Sequence, residues 1–336
     1  RLTPLFSLPS FCLCYLLFPL SFCKTAYQPW ATIVRTMADG PWLSLMIGNS
    51  RLHWAVLEID NVVEAWDTGH LGTLEATCST AGSAKVEEGI PSSFMPKRAR
   101  DLIRRGHLVS NSQTDATLPY SPTNLTQFRV ASVVPEELER WRRRCPGISP
   151  ILSGDVLDGV TEYPTLGVDR ALAVRGAARV RGWPVVVVDC GSALTFTAAD
   201  AKGKLAGGAI LPGVRLQLAA LGTRTAQLPS GIVLPEELPP RQVSLGTAGG
   251  IQAGVMWTIV AGIHSFIKDR WNIDPDVTVV FTGGDGQVLH RAVLDSWESE
   301  EQEFAHLRHR IHFVGDVIHW GIASLALEGS RPSIDA

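Results

Sequence analysis

The sequence has no excess of charge of either sign: 30 Lys and Arg stand against 33 Asp and Glu, a formal net charge of −3. Non-specific nucleic-acid binding needs a broad basic surface that releases counterions, so nucleic acid is set aside as the main partner. Paired cysteines are also missing. The six cysteines are scattered, and neither Cys12 and Cys14 nor the isolated Cys78, Cys145 and Cys190 have zinc-like spacing, which points to a reduced, cytoplasmic protein. The chain is short of long apolar runs as well. The one from Leu5 to Cys23 is interrupted by Pro9 and Pro19 and followed by no clear small-x-small cleavage site. With the first methionine at Met37, residues 1–36 are expected to be a non-native upstream extension or disordered segment outside the fold, with a signal peptide as the alternative. No membrane partner is expected.

What the chain does have is 336 residues that are 45% hydrophobic, enough for two ordinary domains with substantial cores. After Trp42 strand-like runs alternate with turns and read as a β-meander. From Cys78 to Thr126 the composition shifts to Ser, Thr, Pro and Gly, which reads as a variable insertion with one short basic helix at "PKRARDLIRRG". "FRVASVVP" is a compact strand, and "PEELERWRRRC" is a helix with acids in its first turn and arginines in its last, matching the helix dipole. The Ala-rich segment after Asp169 is helical.

The second half repeats this plan. In "VVVVDCGSALTF", from Val185, a β-branched run ends on an acid, a glycine and a hydroxyl. Such a run is a buried strand, and it delivers Asp189 to the edge of the core beside a turn at Gly191 and Ser192. Phosphate or a cation could bind there; a plain hairpin with a solvated Asp reads equally well. "MIGNS" at Met46 has the same form, and two halves that each open on a glycine–hydroxyl turn indicate duplication around a cleft. Gly48, Asn49 and Ser50 can cradle phosphate oxygens, while Asp169 and Arg170 stand where a loop enters a helix and can face a hydroxyl and an anion.

Seven motifs occur in order: "MIGNSRLHWAVL", "ASVVP", "LGVDRALA", "VVDCGSALTF", "GGAILPG", "LGTAGGIQAG" and "FTGGDG". Together they resemble the type III pantothenate kinase family of the acetate and sugar kinase, Hsp70 and actin superfamily. The resemblance implies an α/β fold of two duplicated ribonuclease H-like (actin-like ATPase) domains, expected at residues 37–180 and 181–330, with an interdomain cleft. It implies transfer of a phosphoryl group from ATP, with Mg2+, to pantothenate, in a homodimer.

Residue by residue, the resemblance places Asp169 as the proton acceptor and Gly167, Val168, Asp169 and Arg170 in the pantothenate segment. Thr247, often contributed across a dimer interface, and Tyr163 complete that segment. Met46, Ile47, Gly48, Asn49, Ser50, Arg51, Leu52 and His53, with Ser192, Gly283 and Gly284, fall in the nucleotide site. Asp189 matches the ligand of a monovalent cation, potassium or ammonium. One departure stands out: the family's first glycine turn carries an aspartate where this chain has Met46. A catalytically weak homologue that binds nucleotide or pantothenate as a regulator is therefore the alternative. A nuclease on the same core would need clustered carboxylates on the first strand, and "SLMIGNS" has none.

Overall fold

The computed structural model of the chain describes residues 41–59, 61–72, 90, 94–108, 128–145, 148, 150–225, 227–240, 244–298 and 305–328. The segment expected to precede the fold, and most of the insertion expected at 78–126, lie outside the described residues. Within the insertion one helix is described, α1 (Lys97–Leu108), where the basic stretch predicts it.

Two five-stranded sheets follow each other along the chain. The first comprises β1 (Pro41–Ile47), β2 (Leu52–Glu58), β3 (Asn61–Thr68), β4 (Phe128–Ser132) and β5 (Pro150–Ile151), in the spatial order β3-β2-β1-β4-β5. The second comprises β6 (Val185–Cys190), β7 (Ala193–Ala199), β8 (Leu205–Pro212), β9 (Thr278–Thr282) and β10 (Ile311–Phe313), in the order β8-β7-β6-β9-β10. Strand for strand these are one topology. In each, the first three strands form an antiparallel meander and the last two join parallel to the first. Duplicated ribonuclease H-like units of the actin-like ATPase type are thus visible in the pairing itself.

The helices fill three layers. Outside the first sheet lie α1 and α2 (Pro135–Arg144); outside the second lie α4 (Val214–Arg224), α5 (Thr247–Ile273) and α6 (Gly286–Glu298). Between the sheets lie α3 (Val168–Arg181) and α7 (Val317–Glu328). The period of two along each strand sorts side chains between these layers. Val185 and Val187 face the middle core, and Val186 and Val188 face the outer core of the second half. Four consecutive valines are therefore buried because both faces of β6 are covered. Similarly, Leu43, Leu45 and Ile47 of β1 face outward to an aromatic cluster around Trp54 and Trp141, whereas Trp42 and Met46 face inward.

Of the described helices, α5 is long and apolar enough to cross a membrane by length and composition. Its Met256, Ile259, Val260, Ile263, Ile267 and Trp271 nevertheless pack into the outer core of the second half. The middle layer is closed by glycines. A Cβ on Gly176 of α3 would fall on the Val317 carbonyl oxygen, and one on Gly321 of α7 would fall on the Leu172 carbonyl oxygen. Backbone meets backbone at this crossing, which sets the spacing between the sheets.

Gly176→Ala therefore has an expected sign opposite to that of an exposed helix. Alanine raises helix propensity by nearly 1 kcal/mol, but here the added methyl must push α7 away, at a cost of about 1–3 kcal/mol. Denaturant unfolding of the variant checks this: a net loss of stability is expected, and a gain would mean the two helices do not touch.

Candidate active site

The two glycine turns meet. At the end of β1 the Gly48 amide donates to the Arg51 carbonyl at 3.0 Å, and His70 Nε2 lies 2.8 Å from the Gly48 carbonyl oxygen. At the end of β6 the Gly191 amide donates to the Ala193 carbonyl at 3.1 Å. Two neighbouring loops brace that second turn: the Gly213 amide donates to the Ser192 carbonyl, and the Asp285 amide to the Cys190 carbonyl, both at 3.0 Å. Gly283, at φ +86°, is a position where only glycine fits, because a Cβ would strike Asp189 Oδ1. Across the gap Ser50 Oγ and Ser192 Oγ, both on exposed residues, are 2.7 Å apart. The hydroxyls that close the two motifs thus form one polar lip.

Two carboxylates belong to this region: Asp189, at the end of β6 beside the Gly191 turn, and Asp169, whose charge acts on it. Asp169, half-buried at the start of α3, accepts the Arg170 amide at 2.8 Å. Its carboxyl is nonetheless raised above the usual range, chiefly by burial, with that amide and the Arg170 charge opposing the rise. Asp189 is pushed up to about 6, first by burial and then by the charge of Asp169; His53 and Arg170 oppose this. The mutual influence places Asp169, Asp189, Arg170 and His53 within one electrostatic neighbourhood. A raised carboxyl suits a base, since its proton affinity approaches the working pH.

Arg170 is the joint between the halves. It is 6% exposed, and its Nε donates to Thr197 Oγ1 at 2.9 Å, one terminal nitrogen to the Phe196 carbonyl at 3.0 Å, and the other to the Tyr163 hydroxyl at 3.2 Å. Three of its five N–H groups are thereby used within the protein. Its first role here is positional: it ties the start of α3 to β7 and to Tyr163.

Other predicted residues divide by strand face. Asn49, Ser50 and Arg51 are exposed at the turn, and His53 lies on the cleft face, held by Asp67 at 2.7 Å. Met46 also faces inward but is buried in the middle core, and Ile47 and Leu52 point to the outer core. The side chains of these three are enclosed by other core residues. Gly167 precedes α3 and Val168 packs beneath it in the middle core. Gly284 has open space where a Cβ would stand. Thr247 stands apart: it begins α5 and lines an open groove of roughly 450 Å3 with Gln217, Leu221, Gly250 and Ile251, and none of the carboxylate cluster lines that groove.

One polar group of this region escapes sequence reasoning: Asp67 becomes visible only once β2 and β3 are in register. Asp285 lies within the "FTGGDG" motif, but its partner Arg215, which reaches it at 2.7 Å, is seen only in the structure. Among the described residues, no three His, Cys, Asp or Glu side chains gather as a metal cage. A divalent ion bound mostly by phosphate and water fits that donor set, as Mg2+ commonly is. Asp189, a partly enclosed carboxylate beside a second acid, fits a single cation that offsets their charge.

A family model described as type III pantothenate kinase matches residues 42–269, which span the first sheet and reach through most of α5. The type III pantothenate kinase of Nostoc sp. is 39% identical over 252 residues, covering 75% of this chain and 84% of its own. That of Gloeobacter violaceus is 41% identical over 261 residues, with coverage of 77% and 93%. That of Synechocystis sp. is 36% identical over 252 residues, with coverage of 74% and 80%. The similarity therefore extends over most of the length on both sides.

The raised Asp189 carboxyl fixes a pH dependence. An acid whose folded pKa lies near 6, against ~3.9 unfolded, holds its proton more tightly in the folded state. Its contribution to stability therefore falls as pH rises through that window. Asp189→Asn is expected to be the more stable protein at pH 8, by up to about 3 kcal/mol, with the difference fading towards pH 4. Thermal melts between these limits, without added potassium or ammonium, check it; parallel curves would contradict it.

Proposed function

The chain belongs to the type III pantothenate kinase family, and from that membership we propose how its cleft carries out the reaction: ATP-dependent phosphorylation of pantothenate to 4′-phosphopantothenate, the first step of coenzyme A biosynthesis. The observation that carries the reading is the meeting of two glycine–hydroxyl turns over a pair of raised carboxylates. Phosphoryl transfer needs a cradle for phosphate oxygens, a base at the accepting hydroxyl and compensation of charge. The two turns supply the first. Asp169 supplies the second.

In this mechanism the amides and hydroxyls at Gly48–Ser50 and Gly191–Ser192 orient the triphosphate, and Gly283 and Gly284 flank the nucleotide from the β9 loop. The pantothenate segment Gly167–Arg170, with Tyr163, brings the primary hydroxyl to Asp169. Asp169 takes the hydroxyl proton as the oxygen bonds to the γ-phosphorus, the bond from that phosphorus to the β–γ bridging oxygen breaks, and ADP leaves. Arg170 keeps α3 and Tyr163 in register and directs its remaining N–H groups and its charge to the same site. Mg2+, held by the triphosphate and water beside the two turns, would offset phosphate charge. Asp189, held against Gly283, would hold a potassium or ammonium ion beside the nucleotide.

We place the domain boundary at residue 180, at the C-terminal end of α3 and ahead of β6. A second copy of the chain is the proposed cover for the α4–α5 groove: Leu216 of α4 is 54% exposed and Leu245, just before α5, is fully exposed. Thr247 lies in that groove, so a homodimer would carry it towards the partner's substrate. The described cysteines, Cys145 and Cys190, are unpaired and buried, as a reducing cytoplasm allows.

Asp169→Asn is expected to retain binding of a non-hydrolysable ATP analogue while losing about 10²- to 10⁴-fold in turnover, the contribution of a positioned base. Coupled ADP release with and without pantothenate measures it, and a rate near that of the unaltered protein would remove Asp169 from the chemistry. Leu216→Glu is expected to yield monomers in sedimentation and a raised KM for pantothenate, with unchanged circular dichroism. A dimer unaffected by the charge would move the interface elsewhere.

A further inference from the structure

The two halves repeat each other strand for strand, and the repetition fails at one place in the cleft. Asp189 stands two residues before Gly191 at the end of β6; its counterpart, two residues before Gly48 at the end of β1, is Met46, 1% exposed in the middle core. Strand register shows where polar groups lie instead. Met46 pairs with His53 of β2, and His53 pairs with Asp67 of β3, so the three form one row across the cleft face of the first sheet. The corresponding row of the second sheet is Asp189, Thr195 and Ile210, with its acid on the central strand. In the first half the acid stands two strands further out.

A histidine bridges that displacement. His53 Nδ1 lies 2.7 Å from Asp67 Oδ1, and Arg51 lies 3.4 Å from the other carboxylate oxygen. The His53 hydrogen bond, foremost, holds the Asp67 carboxyl below its ordinary range. An ionised carboxylate can only accept, so Nδ1 carries the proton. His53 Nε2 then faces the glycine turn: a Cβ on Gly48 would stand 3.2 Å from it. From the middle layer, Asp316 is electrostatically coupled to the same pair, its carboxyl raised first by burial and then by Asp67.

Building on the reading that the glycine turns hold the phosphates of ATP, we propose that Asp67 is a positioning residue for this reaction: it orients His53 so that Nε2 takes the place of the missing carboxylate oxygen and accepts a hydrogen bond from the hydrated Mg2+–triphosphate. An imidazole nitrogen fixed by a carboxylate reproduces the acceptor that an acid at Met46 would present. It does so without burying a charge in the middle core. Carboxylate–imidazole pairs orient metal surroundings in this way elsewhere, and losing such an outer partner costs 10- to 100-fold in metal affinity or activity.

The test reads binding rather than turnover. Mg2+ is titrated into the full chain with a non-hydrolysable ATP analogue, and bound analogue is followed by calorimetry for the unaltered protein, Asp67→Asn, His53→Gln and Asp316→Asn. Asp67→Asn and His53→Gln are each expected to raise the half-saturating Mg2+ concentration about 10-fold, with analogue affinity in EDTA unchanged and melting temperature retained. Adding Met46→Asp to Asp67→Asn is expected to lower the requirement again. A folded Asp67→Asn with an unaltered Mg2+ requirement overturns the proposal. So does equal weakening with and without Mg2+, or a shift confined to Asp316→Asn. An unaltered protein that binds no analogue at any Mg2+ concentration would overturn the underlying nucleotide reading, a separate and recognisable outcome.

Discussion

Everything in the cleft depends on the contact of α3 with α7 between the two sheets. Gly176 and Gly321 let the two helix backbones touch, so the sheets on either side are held at a separation that larger residues would widen. At that separation Ser50 and Ser192, 142 residues apart in sequence, come within hydrogen-bond distance. The same layer carries Asp169 at its rim, and Arg170 ties that rim to β7 through Thr197 and the Phe196 carbonyl. A packing constraint far from the chemistry thus fixes the geometry of the chemistry. Proximity effects in catalysis require this stiffness, because a misplacement of about 1 Å can cost 10²-fold in rate.

The electrostatics are those of a site arranged around ligands that carry charge. Asp169 raises the cost of ionising Asp189, and Arg170, whose charge opposes that rise, is anchored by Thr197, Phe196 and Tyr163. In the proposed mechanism a cation near Asp189 and a metal on the phosphates would offset that repulsion. Met46 fits the same economy of charge: burying a carboxylate there would add a third acid to a core position.

Much of this was legible in the sequence because it rests on local patterns. The β-branched run at Val185, the glycine–hydroxyl turns and the dipole-matched charges of α2 each follow from a few neighbouring residues, and all three sit where those residues predict. The duplicated topology could be inferred from the repeated order of strands. What a single strand cannot reveal is its register with another. Asp67 sits in a half-exposed meander strand with no motif around it, and only pairing with His53 brings it to the cleft. Arg170 was legible as a charge at a helix start, but two of its three internal partners, Thr197 and the Phe196 carbonyl, depend on β7 being delivered from the other half. Thr247 is the converse case: its motif is clear, yet within one chain it lies in a groove apart from the carboxylates.

In the proposed mechanism both turns clasp one triphosphate while Asp169 meets the accepting hydroxyl. A crystal structure of the chain with a non-hydrolysable ATP analogue, Mg2+ and pantothenate would show this. The terminal phosphates are expected between Gly48–Ser50 and Gly191–Ser192, with an Asp169 carboxylate oxygen about 2.6–3.2 Å from the primary hydroxyl of pantothenate. Phosphates bound to one turn alone, or a pantothenate hydroxyl facing another base with Asp169 out of reach, would contradict it.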